Sequence, residues 1–122
     1  MGKPNNRKYK FSNHLRERYL ERIGLFGQLM KKSKIPNYVS QNFRKIDGIM
    51  ASSLRNAKSY FYRKTDNNPT TISVMFEQYK GVETIEFLKD NKTIFVNVIN
   101  EDKTEKIVTC YDNKDVIGYY LV

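Results

Sequence analysis

The sequence predicts an α+β domain in which N-terminal helices pack on one face of a four- to five-stranded antiparallel sheet. Up to about residue 56, apolar residues recur every three or four positions, as they do on one face of a helix. Beyond that point they alternate with polar residues and are separated by short turns, which is typical of antiparallel hairpins. Nine Tyr and seven Phe in 122 residues suffice for one core. We expect this domain at residues 11–122, after a flexible basic arm at residues 1–10.

The first helix is predicted to begin at a capping side chain, either Ser12 or Asn13. Its apolar stripe consists of Leu15, Tyr19, Ile23, Phe26 and Met30. Gly24 and Gly27 weaken this pattern, so the helix is expected to bend or end there.

A second helix is predicted at residues 37–56. Its apolar stripe consists of Val39, Phe43, Ile46 and Met50. The period then changes to two, which predicts a short strand at residues 59–62 and a loop at residues 66–69.

The rest of the chain has the pattern of an antiparallel meander. Ile72, Val74 and Phe76 alternate with polar neighbours and predict a strand. Further strands are expected at residues 84–88, 93–100 and 106–111, with residues 116–121 as a last strand or tail. One face of the 93–100 strand is formed by Ile94, Val96 and Val98.

Positive charge is concentrated in the N-terminal half. Residues 1–65 hold 16 Lys and Arg against 3 Asp and Glu, a net charge of +13, whereas residues 66–122 hold 6 against 10, a net charge of −4. A basic side of this kind attracts polyanions, of which nucleic acid is the commonest. Charge that serves solubility alone is the alternative, but it does not require the segregation.

Several classes of function lack their sequence signals. One cysteine, Cys110, and one histidine, His14, exclude a zinc knuckle and a His-rich metal site. The chain has neither a P-loop nor a paired carboxylate motif for magnesium. We therefore expect no cofactor, and any catalysis is expected to proceed without metal. The lack of a long apolar run and the single cysteine predict a soluble, cytoplasmic protein with no membrane partner.

One constellation has side chains suited to acid–base chemistry. His14, Arg18 and Arg22 follow one another at steps of four and therefore share a helix face. An imidazole beside two guanidiniums suits proton transfer at a bound phosphate. The alternative is a solvated face whose arginines pair with Glu17 and Glu21.

A second feature lies in the last predicted full strand. Thr109 and Tyr111 are two residues apart and project to the same sheet face, where a hydroxyl and a phenol can orient a phosphate. Ordinary strand propensity explains the same two residues.

Together these two features resemble a known family. The pattern formed by Ser12, His14, Arg18 and Arg22, followed by a strand ending at Tyr111, resembles the DUF4258-like domains of the barnase, EndoU, colicin and RelE-like ribonuclease superfamily. The matching residues of the strand are Ile107, Val108, Thr109 and Tyr111. The resemblance implies a metal-independent endoribonuclease, a toxin or an effector carried by a phage or plasmid.

The function expected from the sequence is therefore cleavage of RNA by attack of its own 2′-OH. Catalysis would be carried out by His14, Arg18, Arg22, Thr109 and Tyr111. RNA would be bound by Lys8, Lys10, Arg16, Lys31, Lys32, Arg44, Lys45, Arg55, Tyr60, Tyr62 and Arg63. Packing is an equally good explanation for the two tyrosines.

Two alternatives remain open at this point. The chain could be a non-catalytic inhibitor from a phage or mobile element that binds nucleic acid or a nucleoprotein complex. It could also be a structural or adaptor protein, which would explain the tyrosines but not the segregated charge. A cognate inhibitor is a further possible partner of the ribonuclease.

Overall fold

The computed structural model describes residues 7–25 and 27–121. Residues 1–6 of the predicted arm and Phe26 of the first apolar stripe lie outside these ranges. Residues 7–10 form neither helix nor strand.

Helices precede an open four-stranded antiparallel sheet, which confirms the predicted α+β class. The helices are α1 (Asn13–Arg22), α2 (Ile35–Arg55) and α3 (Thr70–Gln78). The strands are β1 (Lys58–Arg63), β2 (Val82–Lys89), β3 (Thr93–Asn100) and β4 (Glu105–Asp112). They pair in chain order, so β1 and β4 form the two edges. Short 3-10 helices occur at Lys32–Lys34 and Val116–Tyr120.

The first helix is shorter than its predicted stripe. Ser12 caps it by accepting a hydrogen bond from the Leu15 N–H, at 3.1 Å. It ends at Arg22 because Gly24 takes a left-handed backbone, with φ of +79°. Met30 therefore lies outside the helix. After the helix the backbones of Leu25 and Gln28 pair with each other in an isolated antiparallel bridge.

The second helix is close to its predicted range, but its apolar stripe differs from the prediction. Asn42 has a non-helical backbone, with φ of −130°, and this interruption breaks the helical register. Phe43, predicted to lie in the stripe, is 41% exposed and lies against two guanidiniums, those of Arg16 and Arg44. The buried residues are Ile35, Val39, Ile46, Met50 and Leu54.

Helices cover both faces of the sheet, whereas the sequence predicted helices on one face only. Helices α1 and α2 pack on one face, against a core that includes Leu88, Phe95 and Cys110. Helix α3 packs on the other face, against a core that includes Phe87 and Val96. The predicted shared face of Ile94, Val96 and Val98 lies in this second core.

The prediction of a strand through Ile72, Val74 and Phe76 was wrong, because these residues belong to α3. Ile72 and Phe76 are four residues apart, a spacing that fits both a strand and a helix. Met75 completes the buried helical face, whereas Val74 is 52% exposed.

The described residues contain no fifth strand. Residues 116–120 form a 3-10 helix, whose first turn is capped by the Asp115 carboxylate accepting from the Ile117 N–H. Ile117 and Leu121 are buried in the second core. An apolar terminal segment can thus cover a sheet face without joining the sheet.

Candidate nucleic-acid interface

Three of the five predicted catalytic residues meet at the outer edge of the sheet. Arg22, at the end of α1, donates from Nη1 to the Cys110 carbonyl at 2.9 Å and to the Thr109 hydroxyl at 3.3 Å. Its guanidinium carbon lies 4.9 Å from the centre of the Tyr111 ring. Since β4 is an edge strand, this cluster fastens α1 to the sheet edge.

The strand alternation assigns these side chains to different faces. Cys110 faces α1 and α2, whereas Tyr111 packs with the second core, and Thr109, which pairs with Val96, shares that face. Thr109 is 5% exposed. Thr109 and Tyr111 therefore project away from α1, and Arg22 reaches them around the edge of the sheet.

His14 lies apart from this cluster. It is exposed and lies near the start of α1. Because it precedes Arg22 by eight residues, the two are about 12 Å apart along the helix axis. Within the described residues, no side chain hydrogen-bonds to His14 or pairs with it. The groove beside His14 includes Glu17, Arg18 and Lys32 but neither Thr109 nor Tyr111. The structure thus does not bring all five predicted catalytic residues to one surface.

The remaining predicted catalytic residue, Arg18, belongs to an ion-pair cluster. Its Nη1 lies 2.9 Å from Glu21, whose other carboxylate oxygen lies 3.3 Å from Lys32. The hydrogen bonds and charges of Lys32 and Arg18 lower the pKa of Glu21. The carboxylate already partly neutralises both cations.

The single thiol is not a nucleophile in this fold. Burial raises the pKa of Cys110 to about 12, although the charges of Arg22 and Arg18 oppose the shift. The thiol is therefore neutral at physiological pH and serves as a packing group.

Most of the predicted nucleic-acid-binding cations remain exposed. Arg16 is an exception, because it forms a bidentate ion pair with Asp47, in which Nε and Nη2 donate to the two carboxylate oxygens at 2.7 and 2.8 Å. Lys45 is exposed beside a groove of about 750 Å³ between α2 and the turn before β3. Among the described residues, no carboxylate pairs with the exposed side chains of Lys8, Lys10, Lys31, Arg44, Arg55 and Arg63.

The two predicted base-stacking tyrosines face the second core. The Tyr62 hydroxyl donates to the Tyr120 carbonyl at 2.6 Å, and its ring packs edge-on against Phe87. Tyr60 is partly buried, and the Lys58 ammonium lies 5.3 Å from its ring centre. The exposed aromatic residue of this strand is Phe61, at 60%. Strand alternation could have identified it, because Phe61 lies between two tyrosines that face the core.

Within the described ranges, no cluster of three or more His, Cys, Asp or Glu side chains could hold a metal ion. None of the helices in those ranges has the length and apolar character needed to cross a bilayer. No protein-family model, curated protein or solved structure matches this chain significantly. The function is therefore inferred from the geometry of the chain itself.

Proposed function

We propose that this chain binds nucleic acid through the side of the domain that carries α1 and α2. The observation that carries the proposal is the set of exposed cations left after two of the three local carboxylates are paired. Of the three acidic residues among residues 1–65, Asp47 pairs with Arg16, and Glu21 pairs with Arg18 and Lys32. Lys8 and Lys10 of the described part of the arm, and Arg44 and Arg55 of α2, remain exposed to attract phosphates.

The geometry supports binding better than catalysis. Arg22 already donates to Thr109 and to the Cys110 carbonyl, and its guanidinium lies over Tyr111. A phosphate held there would have to replace these contacts. His14, the candidate acid or base, is not part of the cluster. Metal-independent RNA cleavage is a second candidate, favoured by the contact of Arg22 with Thr109 and Tyr111.

A salt titration of binding tests the proposal. With a fluorescent RNA or DNA oligonucleotide, we expect log affinity to fall with log salt at a slope of about −3 to −6, as counterions are released. The double variant Arg44→Ala/Arg55→Ala should weaken binding about tenfold and make the slope shallower, because two phosphate contacts are lost.

The matched control removes the same charge from the other half of the chain. Lys80→Ala/Lys106→Ala changes two exposed lysines outside α1 and α2, so affinity should change less than twofold. Equal losses in the two double variants would mean that net charge alone drives binding. Absence of binding at low salt would refute the proposed function.

A further inference from the structure

Resting on the proposed function, we propose that single-stranded nucleic acid binds along a groove between residues 7–11 and the end of α2, with one base stacked on Phe61. We call this the arm groove. Its volume is about 410 Å³, and its lining residues are Arg7, Lys8, Tyr9, Phe11, Ala51, Leu54 and Arg55.

The charge of the arm groove distinguishes it from four other grooves on the described part of the chain. Three of its lining residues are cationic and none is a carboxylate. Each of the other four grooves includes at least one carboxylate, from Glu17, Glu21, Asp90 or Asp112. The arm groove is therefore the most favourable of the five for a phosphate backbone.

An ion pair inside the fold holds one wall of the arm groove in place. Arg7 Nη2 lies 2.8 Å from the Glu86 carboxylate, whose side chain is 1% exposed. The other Glu86 oxygen accepts from Asn97 at 3.0 Å, and the Arg7 guanidinium carbon lies 5.2 Å from the Tyr9 ring centre. Arg7 also lies 3.7 Å from Glu105. Because these carboxylates neutralise Arg7, the phosphate contacts are assigned to Lys8 and Arg55, which are exposed.

The register of the sheet places Phe61 beside this wall. Phe61 in β1 is the direct partner of Glu86 in β2, so the two side chains project to the same face. Side chains paired in this way have Cβ atoms about 5 Å apart. The Phe61 side chain thus projects beside that of Glu86, the carboxylate that pairs with Arg7. Arg63, two residues further on the same face, is exposed.

An exposed aromatic ring among exposed cations is the arrangement used to bind single strands. Base–aromatic stacking supplies affinity without sequence preference, and the cations follow the phosphates. Duplex bases are already stacked on one another, so their faces are closed to a protein ring. Phe61 is one large apolar side chain on the same strand face as the exposed Arg63, so a polyanion with planar rings fits this surface better than an apolar protein face does.

A tryptophan probe tests the stacking directly. The chain has no Trp, so Phe61→Trp introduces a single indole whose fluorescence reports on its surroundings. Titration with a 15-nucleotide poly(dT) strand should quench this fluorescence to saturation. Tyr119→Trp is the matched control, because Tyr119 is 80% exposed and lies in the Val116–Tyr120 helix, which packs with the core on the opposite face of the sheet. Its fluorescence should stay unchanged.

Removal of the ring gives the energetic test. Phe61→Thr keeps a strand-forming residue and should weaken single-strand binding about tenfold, as loss of one stacked base implies. The salt slope should stay the same because no charge is removed. Tyr119→Thr should leave affinity unchanged, and circular dichroism checks that both variants fold.

The outcomes separate this inference from the proposed function. If wild type binds with the expected salt slope but Phe61→Thr binds equally well, the stacking site is refuted and the basic side still binds. Equal affinity for duplex and single strand, with no quenching in Phe61→Trp, refutes it too. If wild type binds no nucleic acid at low salt, the proposed function itself fails.

Discussion

Arg22 has the sequence pattern of a catalytic residue but the contacts of a structural one. From the sequence it completes a row with His14 and Arg18, a pattern that suits phosphate chemistry. In the fold, its donors are directed to Thr109 and to the Cys110 carbonyl, and its planar group lies over Tyr111. These contacts stabilise the packing of α1 against β4.

We predict that Arg22→Ala lowers the free energy of unfolding by about 2 kcal/mol. A charge-assisted hydrogen bond to a carbonyl and the contact with the Tyr111 ring are lost together. Urea denaturation measures the change. Arg18→Ala is the control and should cost less than about 0.5 kcal/mol, because the pair with Glu21 is partly exposed to solvent. Equal losses in the two variants would contradict a fastening role for Arg22.

At the scale of elements, glycines decide where one helix ends and leave another incompletely stabilised. Gly24 has a left-handed backbone, and a Cβ there would lie 2.0 Å from the Gln28 carbonyl oxygen. No other residue fits without moving the backbone. Gly48 lies inside α2, and a Cβ there would meet open space.

These two glycines provide a matched prediction. Gly24→Ala should lower the free energy of unfolding by about 2 kcal/mol or more, because the clash is with backbone and the positive φ is strained. Gly48→Ala should raise it by about 0.5 to 1 kcal/mol, because alanine favours the helix. Thermal unfolding of both variants measures the difference. A stabilised Gly24→Ala variant would show that the turn after α1 does not need its glycine.

At the scale of the whole molecule, the excess of cations in the N-terminal half gives the fold an exposed basic side, although Glu86 and Glu105 of the other half pair with Arg7 there. Residues 7–10, α1 and α2 lie on one face of the sheet, where several cations stay exposed. His14 is exposed on this same side, but the Thr109 and Tyr111 side chains pack toward α3. A shared catalytic surface would need groups from both faces.

We therefore predict binding of RNA without cleavage. Wild type incubated with total RNA in EDTA across pH 5 to 9 should leave the RNA intact. His14→Ala should bind RNA as wild type does, because one imidazole among many exposed Lys and Arg side chains contributes little to polyanion affinity. Gel electrophoresis and oligonucleotide binding give the two readouts. Cleavage by wild type that falls about 10²–10⁴-fold in His14→Ala would establish the ribonuclease instead.

Local signals in the sequence were sufficient for much of the fold. The cap at Ser12, the glycine at position 24 and the strand at 93–100 depend on neighbouring residues, and each occurs in the structure. The α3 segment was misassigned because Ile72 and Phe76 fit two periods. The choice between helix and strand depends on the tertiary structure, because the second face of the sheet is apolar and has to be covered by a helix.

The candidate site depended far more on tertiary structure. The sequence by itself determined the basic N-terminal half. Strand alternation also places Phe61 on the strand face opposite to that of Tyr60 and Tyr62. The fold decided which cations are neutralised, since the partners of Arg7 and Arg16 lie 79 and 31 residues away. It also separated His14 from Thr109 and Tyr111, because a sheet has two faces and a helix packs on one of them. Charge and period are local properties of a chain, whereas pairing and proximity arise only when distant segments pack together.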